Sequence, residues 1–460
     1  MTETPQRPPR FERPLLAAVK HEYARAMHCE FTDSDEVIPR PPSGCQLYVH
    51  VPFCESLCPF CSFHRVQFRA EKAEPYFEAL RREIRMYHAR GYRFTDVYVG
   101  GGTPTVLPHE LAKTLTLIRS LWPIRWVSVE TNPNHLTAET LDVLEAAGVD
   151  RLSVGVQTFD EELLNAMGRS GHYGSAEQIA RRLAAALGRF QTLNVDMMFN
   201  FPNQSIESLR RDIAAVRELG IDQVSFYPLM TPETAERSMR KRLGRADPER
   251  RYAFYEQILS GIRPTYQPSS AWCFSRAAPS DALRPIDEYI TQAGDYVGVG
   301  SGAFSYLDGT LYSTTFSLRT YRERIEAGRP ALTRCKVLTL RQRMRYDFLV
   351  GLFGLSLPYT YLEAKYGSRF WWLMAPELAA MRLIGAIRHD RDALRLTERG
   401  MYCWMLMMAE FFTAVDRLRG AMRLRIRDEL SSVAAKSLKE SRVAWDPHKY
   451  RNGRFSHHAS

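Results

Sequence analysis

Short apolar runs recur along the middle of the chain, and stretches with helical spacing separate them. The runs are "QLYVHVPF" (46–53), "TDVYVGGG" (95–102), "RWVSVETN" (125–132), "RLSVGVQT" (151–158), "LNVDMMFN" (193–200) and "QVSFYPLM" (223–230). Each is rich in Val, Tyr or Phe and predicts a strand. Between them lie "AEPYFEALRREIRMYHARG", "LPHELAKTLTLIRSL", "TAETLDVLEAAG", "DEELLNAMG" with "SAEQIARRLAAALG", and "SIESLRRDIAAVRELG". These predict helices, some with end signals: Thr137 precedes one that Gly148 ends, and Ser205 precedes another that Gly220 ends.

Strands alternating with helices imply parallel pairing and an α/β core. Six such units fall short of the eight of a closed barrel and fit an open, curved partial (β/α)6 barrel. Ligands of such sheets gather at the carboxyl ends of the strands. Gly100 to Pro104, Glu130, Gln157 and Asp196 fall there, and the loop after the first strand is rich in cysteine. Beyond residue 230 the rhythm loosens. "GDYVGVGSGAFSYLDGTLYSTTF" (294–316) predicts a glycine-rich strand and hairpin that rejoin the sheet, and the chain is helical and aromatic from about 330. "GAIRHDRDALRLTERG" (385–400) resembles a hairpin followed by a helix, as in winged-helix modules. The expected organisation is an arm (1–44), a core (45–315), a helical C-terminal domain (316–430) and a flexible tail (431–460).

Composition narrows the class. The chain has 460 residues, 45% hydrophobic and 25% charged, as in a globular protein of two or three domains. No apolar run approaches the ~18 residues that span a bilayer. The start "MTETPQRPPRFERP" has no apolar signal core, so a cytoplasmic location is expected. The net charge of +10 lies largely on arginines of predicted helices such as "RLRGAMRLRIRDEL", read as solvated faces. No base-reading motif is present, and no nucleic acid partner is expected.

Candidate chemistry centres on "HVPFCESLCPFCSFH" (50–64). Cys54, Cys58 and Cys61 have the spacing C-x3-C-x2-C, with no fourth cysteine nearby. Four thiolates would saturate a structural zinc or a 4Fe–4S cluster, whereas three leave one iron open. The amine and carboxylate of S-adenosylmethionine (SAM) can chelate that iron, and radical chemistry follows from such a pairing. Zinc, with His64 or His50 as fourth ligand, is the competing reading. Phe60 inside the last C-x2-C suits packing against a nucleobase, and "VGGGTP" (99–104) allows close backbone approach to a ligand. The remaining cysteines, Cys29, Cys45, Cys273, Cys335 and Cys403, are scattered and read as small buried hydrophobes.

"YVHVPFCESLCPFC", "VYVGGGTPT", "VETNP", "RLSVGVQTF", "MGRSGH", "NVDMMFNFPNQ" and "GVGSGAFSY" together resemble the radical SAM family of oxygen-independent coproporphyrinogen III oxidase, from about residue 46 to 310. That family includes haem chaperones, anaerobic haem-degrading enzymes and class C radical SAM methyltransferases. The resemblance implies a partial (β/α)6 radical SAM barrel in which Cys54, Cys58 and Cys61 ligate the cluster. It places Tyr48 beside SAM, gives SAM's amino group to Gly101, Gly102 and Thr103, and gives the rest to Glu130, Gln157, Arg169 and Asp196. The ordinary alternatives are strand-end hydrogen bonding for Gln157 and Asp196, a surface ion pair for Arg169 and core packing for Tyr48.

Two positions depart from the family pattern. The oxidase has a further cysteine two places after the third, where this chain has Phe63, and the chaperones' "GAHS" is here "GAFS" with Phe304. The expected reaction is therefore methyl or alkyl transfer to a tetrapyrrole or other unsaturated substrate, with Gly300, Gly302 and Ala303 either near a second SAM or the substrate or simply packing a close strand. The alternatives are decarboxylation of coproporphyrinogen, haem delivery by a chaperone, and a zinc-stabilised adaptor. Trp371, Trp372, Phe370 and Trp404 either line a flat hydrophobic pocket or pack as helix core. A flavodoxin or ferredoxin is expected as electron donor.

Overall fold

A computed structural model describes residues 9–26, 31–33, 44–230, 236–277 and 294–443. The predicted strands are β1 (Cys45–Val51), β2 (Phe94–Gly101), β3 (Trp126–Thr131), β4 (Arg151–Gln157), β5 (Thr192–Phe199) and β6 (Gln223–Pro228). They pair in parallel in that order. The connecting segments carry α1 (Ala70–Ala89), α2 (Pro108–Leu121), α3 (Ala138–Ala146), α4 (Ala176–Ala186) and α5 (Ile206–Leu219). The end signals act as read. Thr137 accepts from the Thr140 amide, Ser205 accepts from the Ser208 amide, and Gly220 ends α5 in the left-handed region.

Alternation along these strands separates two faces, because successive side chains point to opposite sides. Val97 and Val99, Val127 and Val129, Leu152 and Val154, and Leu193 and Val195 are all buried in the hydrophobic core. The residues between them, Tyr98, Ser128, Glu130, Arg151, Ser153, Asn194 and Asp196, form the other face, which is polar. A packed barrel interior would be apolar; this one is built to hold a polar ligand. Arg151 is only 2% exposed, donating to the side chains of Gln223 (2.9 Å) and Ser128 (3.1 Å).

The sheet continues past the parallel core. β7 (Tyr296–Val299) pairs in parallel with β1 on its free side, and β8 (Phe304–Leu307), β9 (Thr310–Thr314) and β10 (Leu332–Val337) follow antiparallel. The strand Thr32–Asp33 of the arm pairs with β10, and on the other edge Cys273–Arg276 pairs antiparallel with β6. Tyr266–Pro268 pairs antiparallel with Cys273–Arg276 in turn, which makes a sheet of 13 strands among the described residues. The core boundary expected at 315 falls between two paired strands, so sheet structure runs on to Val337.

The helical part holds α6 (Leu340–Phe353), a hairpin of Ile387–His389 with Ala393–Leu396, and α7 (Glu398–Val443). Residues 431–443, expected as a flexible tail, continue α7, while 444–460 lie outside the described residues. Phe370 and Trp404 are fully buried core, and Trp372 is 79% exposed. These aromatics and Trp371 pack helices or meet solvent; none lines the cavities described below. Among the described residues no helix is long and apolar enough to cross a membrane.

Candidate active site

The loop after β1 carries Cys54, Cys58 and Cys61 over the carboxyl ends of the parallel strands. A cavity of about 250 Å³ opens between this loop and the polar face, lined by all three cysteines. Phe60, Gly101, Gly102, Glu130, Gln157, Arg169 and Asp196 line it too. These sequence-predicted residues, spread over more than a hundred positions, are thus brought together.

The glycines of "VGGGTP" make the close packing possible. A Cβ on Gly100 would lie 2.8 Å from the Glu130 carboxyl, and one on Gly102 would lie 2.5 Å from the Phe53 carbonyl oxygen. Gly101 has φ +115° and faces the His50 ring. The Gly102 amide donates to the Val51 carbonyl (2.8 Å) and the Thr103 amide to the Phe53 carbonyl (2.7 Å), which fixes the start of the cysteine loop.

Polar groups tie the loop to the strands. Thr103 Oγ1 approaches Cys54 Sγ at 3.6 Å and accepts from Asn132 Nδ2 at 2.8 Å. Arg169 donates to Cys58 Sγ (3.2 Å), to Asn132 Oδ1 (3.3 Å) and to the Gly155 carbonyl, and lies 4.0 Å over the Tyr173 ring. Glu130 accepts from the Tyr98 hydroxyl (2.5 Å) and the Gly101 amide (3.1 Å). Asp196 accepts from Ser153 (3.0 Å) and Asn194 (2.9 Å). Gln157 sits at a register shift at the end of β4 with φ 77° and lines the cavity from there.

Burial dominates the electrostatics. It pushes the Glu130 carboxyl up to about 7, with the Asp196 charge adding to the effect and Tyr98 opposing it. Burial also raises Asp196, against the pull of Arg151. The Cys54 thiol is pushed up to about 12 by burial, and Cys61 is raised for the same reason. Such thiols become thiolates when a metal binds them.

These residues fit an iron–sulfur cluster with SAM. Three thiols share one wall of the cavity, and among the described residues that line it there is no histidine and no fourth cysteine. The opposite wall offers carboxylates to a cation and a guanidinium to a carboxylate. Among the described residues, the buried Nε of Arg169 has no hydrogen-bond partner. Neither histidine of the zinc alternative lines the cavity with the cysteines. His50 donates to the His64 carbonyl (3.0 Å) and, held neutral by burial, accepts from Tyr48 (2.8 Å). His64 is a buried loop residue packed on Phe316.

Three predicted contacts lie elsewhere. Thr103 is buried beneath the cysteines, outside the lining of the cavity. Ala303 is buried in the turn between β7 and β8, its amide bonded to Thr314, and lines no described cavity. Tyr48 lines a neighbouring aromatic cavity of about 110 Å³ with His50, Phe63, Phe304 and Phe412. Tyr48 is on the same face of the sheet as Tyr98, its register partner, with ring centroids 6.2 Å apart, but its ring lines the neighbouring cavity and not the cysteine one.

The sequence reading missed Tyr98, Asn132 and Tyr227, although alternation along β2 and β6 would have found the two tyrosines. It also misread one arginine stripe. Arg419 on α7 is 7% exposed, not solvated. It donates to Ser62 Oγ (3.2 Å) and lies 4.7 Å over the Phe63 ring, while Arg423 donates to the carbonyls of Ser62 (2.7 Å) and Phe63 (3.0 Å). The C-terminal helix thus clamps the cysteine loop.

Comparison with known proteins agrees with this geometry. Residues 48–216 match the family model described as Radical SAM superfamily. The heme chaperone HemW of Bacillus subtilis (strain 168) is 30% identical over 368 residues, which is 77% of this chain and 95% of that protein. Anaerobilin synthase of Escherichia coli O157:H7 is 27% identical, over 77% of this chain and 81% of its own. The structure of coproporphyrinogen III oxidase (HemN) from Escherichia coli superposes with a TM-score of 0.67 at 23% identity, covering 89% of this chain and 96% of that one, and so shares the fold.

Proposed function

The chain belongs to the radical SAM family of oxygen-independent coproporphyrinogen III oxidase-like proteins, and we propose that it cleaves SAM reductively and acts on a tetrapyrrole. The cofactors of this family are a 4Fe–4S cluster and SAM. When bound, the reduced cluster supplies the electron that splits the sulfonium of SAM to give a 5′-deoxyadenosyl radical. Cys54, Cys58 and Cys61 would hold the cluster, Glu130 and Asp196 would attract the cationic SAM, and Arg169 would orient both its carboxylate and the cysteine loop. The observation that carries the reading is the polar face of the strands set directly opposite three cysteines.

The substrate assignment rests on the aromatic cavity beside that site, which shares Phe63, Phe412 and Arg419 with it. Aromatic walls suit a flat conjugated ring. The two departures from the family pattern, Phe63 and Phe304, both lie on these walls. His50 is the histidine of this cavity, and both its ring nitrogens are engaged, so it offers no ligand to haem iron. None of the relatives above is named as a methyltransferase, so methyl transfer stands on the sequence departures alone. A flavodoxin or ferredoxin is the expected electron donor.

The test is anaerobic reconstitution with iron and sulfide, reduction, and incubation with SAM and coproporphyrinogen III or haem. We expect 5′-deoxyadenosine from the wild type and none from Cys58→Ala. The mass of the tetrapyrrole then reads the reaction: a gain of methyl groups, a loss of carbon dioxide, or ring opening. An unchanged, tightly bound tetrapyrrole without 5′-deoxyadenosine would replace the enzyme reading with a chaperone.

A further inference from the structure

The cysteine cavity, at about 250 Å³, is small for two ligands. On the reading above SAM takes this space, so a tetrapyrrole has to extend beyond it. The aromatic cavity of about 110 Å³ takes only part of a macrocycle. A third cavity, of about 390 Å³, adjoins the site through Met230, which lines both. It forms where β6 ends, between the helix Glu236–Leu243 and α7.

Its lining is charged on one side of the balance. Lys20, Arg240, Arg245 and Arg251 face only Glu236 and Glu410. Lys20 spends its charge on Glu410 at 3.5 Å. Among the described residues, Arg240, Arg245 and Arg251 have no ion pair. Arg240 and Arg245 are exposed and Arg251 is half-buried, and unpaired guanidinium groups lining a cleft recognise carboxylates through paired hydrogen bonds, while a cleft of one sign concentrates ligands of the other.

We infer that this cavity is a recognition pocket for the carboxylate arms of the substrate, with the ring reaching past Met230 toward the cysteines. The inference rests on the tetrapyrrole reading above and adds to it a preference for substrates with several ionised carboxylates. The pocket selects; it does not take part in the chemistry.

Absorbance titrations of the cluster-loaded protein separate the two ideas. The probes are coproporphyrin III with four carboxylates, mesoporphyrin IX with two, and mesoporphyrin dimethyl ester with none. We expect coproporphyrin III to bind at least about tenfold tighter than mesoporphyrin IX, which is ~1.4 kcal/mol. The variant Arg240→Gln/Arg245→Gln/Arg251→Gln should erase that difference, and the corresponding triple Lys variant should keep most of it. Iron content and thermal melting report whether each variant is folded. Equal binding of the two acids by the wild type, or a preference that survives in the folded Gln variant, overturns the pocket and leaves tetrapyrrole binding intact. Failure of the wild type to bind any of the three overturns the substrate reading, and the pocket with it.

Discussion

Glu130 shows how one residue's surroundings set its use. Its carboxyl is buried, bonded to Tyr98 and the Gly101 amide, and faced by Asp196 from β5 and Arg151 from β4. Burial pushes it up to about 7, so it is largely protonated at pH 6 and largely ionised at pH 8. Only the ionised form attracts the positive charge of SAM. We therefore expect SAM affinity to rise by up to about tenfold from pH 6 to pH 8, following the ionised fraction. Glu130→Gln should bind SAM weakly at pH 8 and show a flattened profile. Equilibrium dialysis of labelled SAM checks this, and a variant with the wild-type profile would assign the titration to Asp196, which burial also raises. The position of Glu130 was legible at a strand end, but its protonation was not, because burial from neighbouring strands has no local sequence signal.

At the scale of elements, the parallel strands were legible because each repeats the same local pattern of apolar residues and turn signals. The role of α7 was not. Arg419 and Arg423 are four apart, as solvated helical arginines often are, and nothing local distinguishes them. Only the tertiary fold brings them to Ser62 and Phe63, more than 350 positions away. A hydrogen bond from a charged donor is worth ~1.5–3 kcal/mol, and less where the donor is partly exposed as Arg423 is. Arg423→Ala removes two such bonds to the loop and leaves the cavity lining untouched. We expect iron to leave the cluster-loaded variant several-fold faster in the presence of a chelator, with helical circular dichroism unchanged. An unaltered rate of release would mean that the cysteine loop holds its shape without the helix.

The whole molecule is bound together by buried polar groups that no single element explains. Glu83 on α1 accepts from the Gly300 amide (2.8 Å) at the end of β7 and from the Tyr321 hydroxyl (2.6 Å) on the helix Leu318–Glu326. It therefore ties the parallel core to the antiparallel extension of the sheet. Burial pushes Glu83 up to about 7, and it does the same to Asp212, which accepts from Thr158 and the Phe159 amide. An acid raised in this way holds its proton longer in the folded state than in the unfolded one. Between its ordinary value of 4.5 and about 7 the folded protein binds more protons, so stability falls as pH rises through that window and levels off above it. His50, lowered by burial to about 4, acts in the opposite sense and costs stability as pH falls below 6.5. With two raised carboxyls against one lowered histidine, the net effect of these groups is a loss of stability as pH rises from about 4.5 to about 7. Each fully buried carboxyl contributes on the order of a few kcal/mol to the loss, at 1.36 kcal/mol per pKa unit. In Glu83→Gln the amide oxygen can still accept a hydrogen bond, but the group no longer titrates. Urea unfolding of the cluster-loaded protein under argon should show the wild type losing stability from pH 6 to pH 8, with a shallower loss in Glu83→Gln. Parallel pH dependences in the two proteins would show that Glu83 keeps its proton, or its charge, equally in both states, and that the tie across the sheet does not titrate.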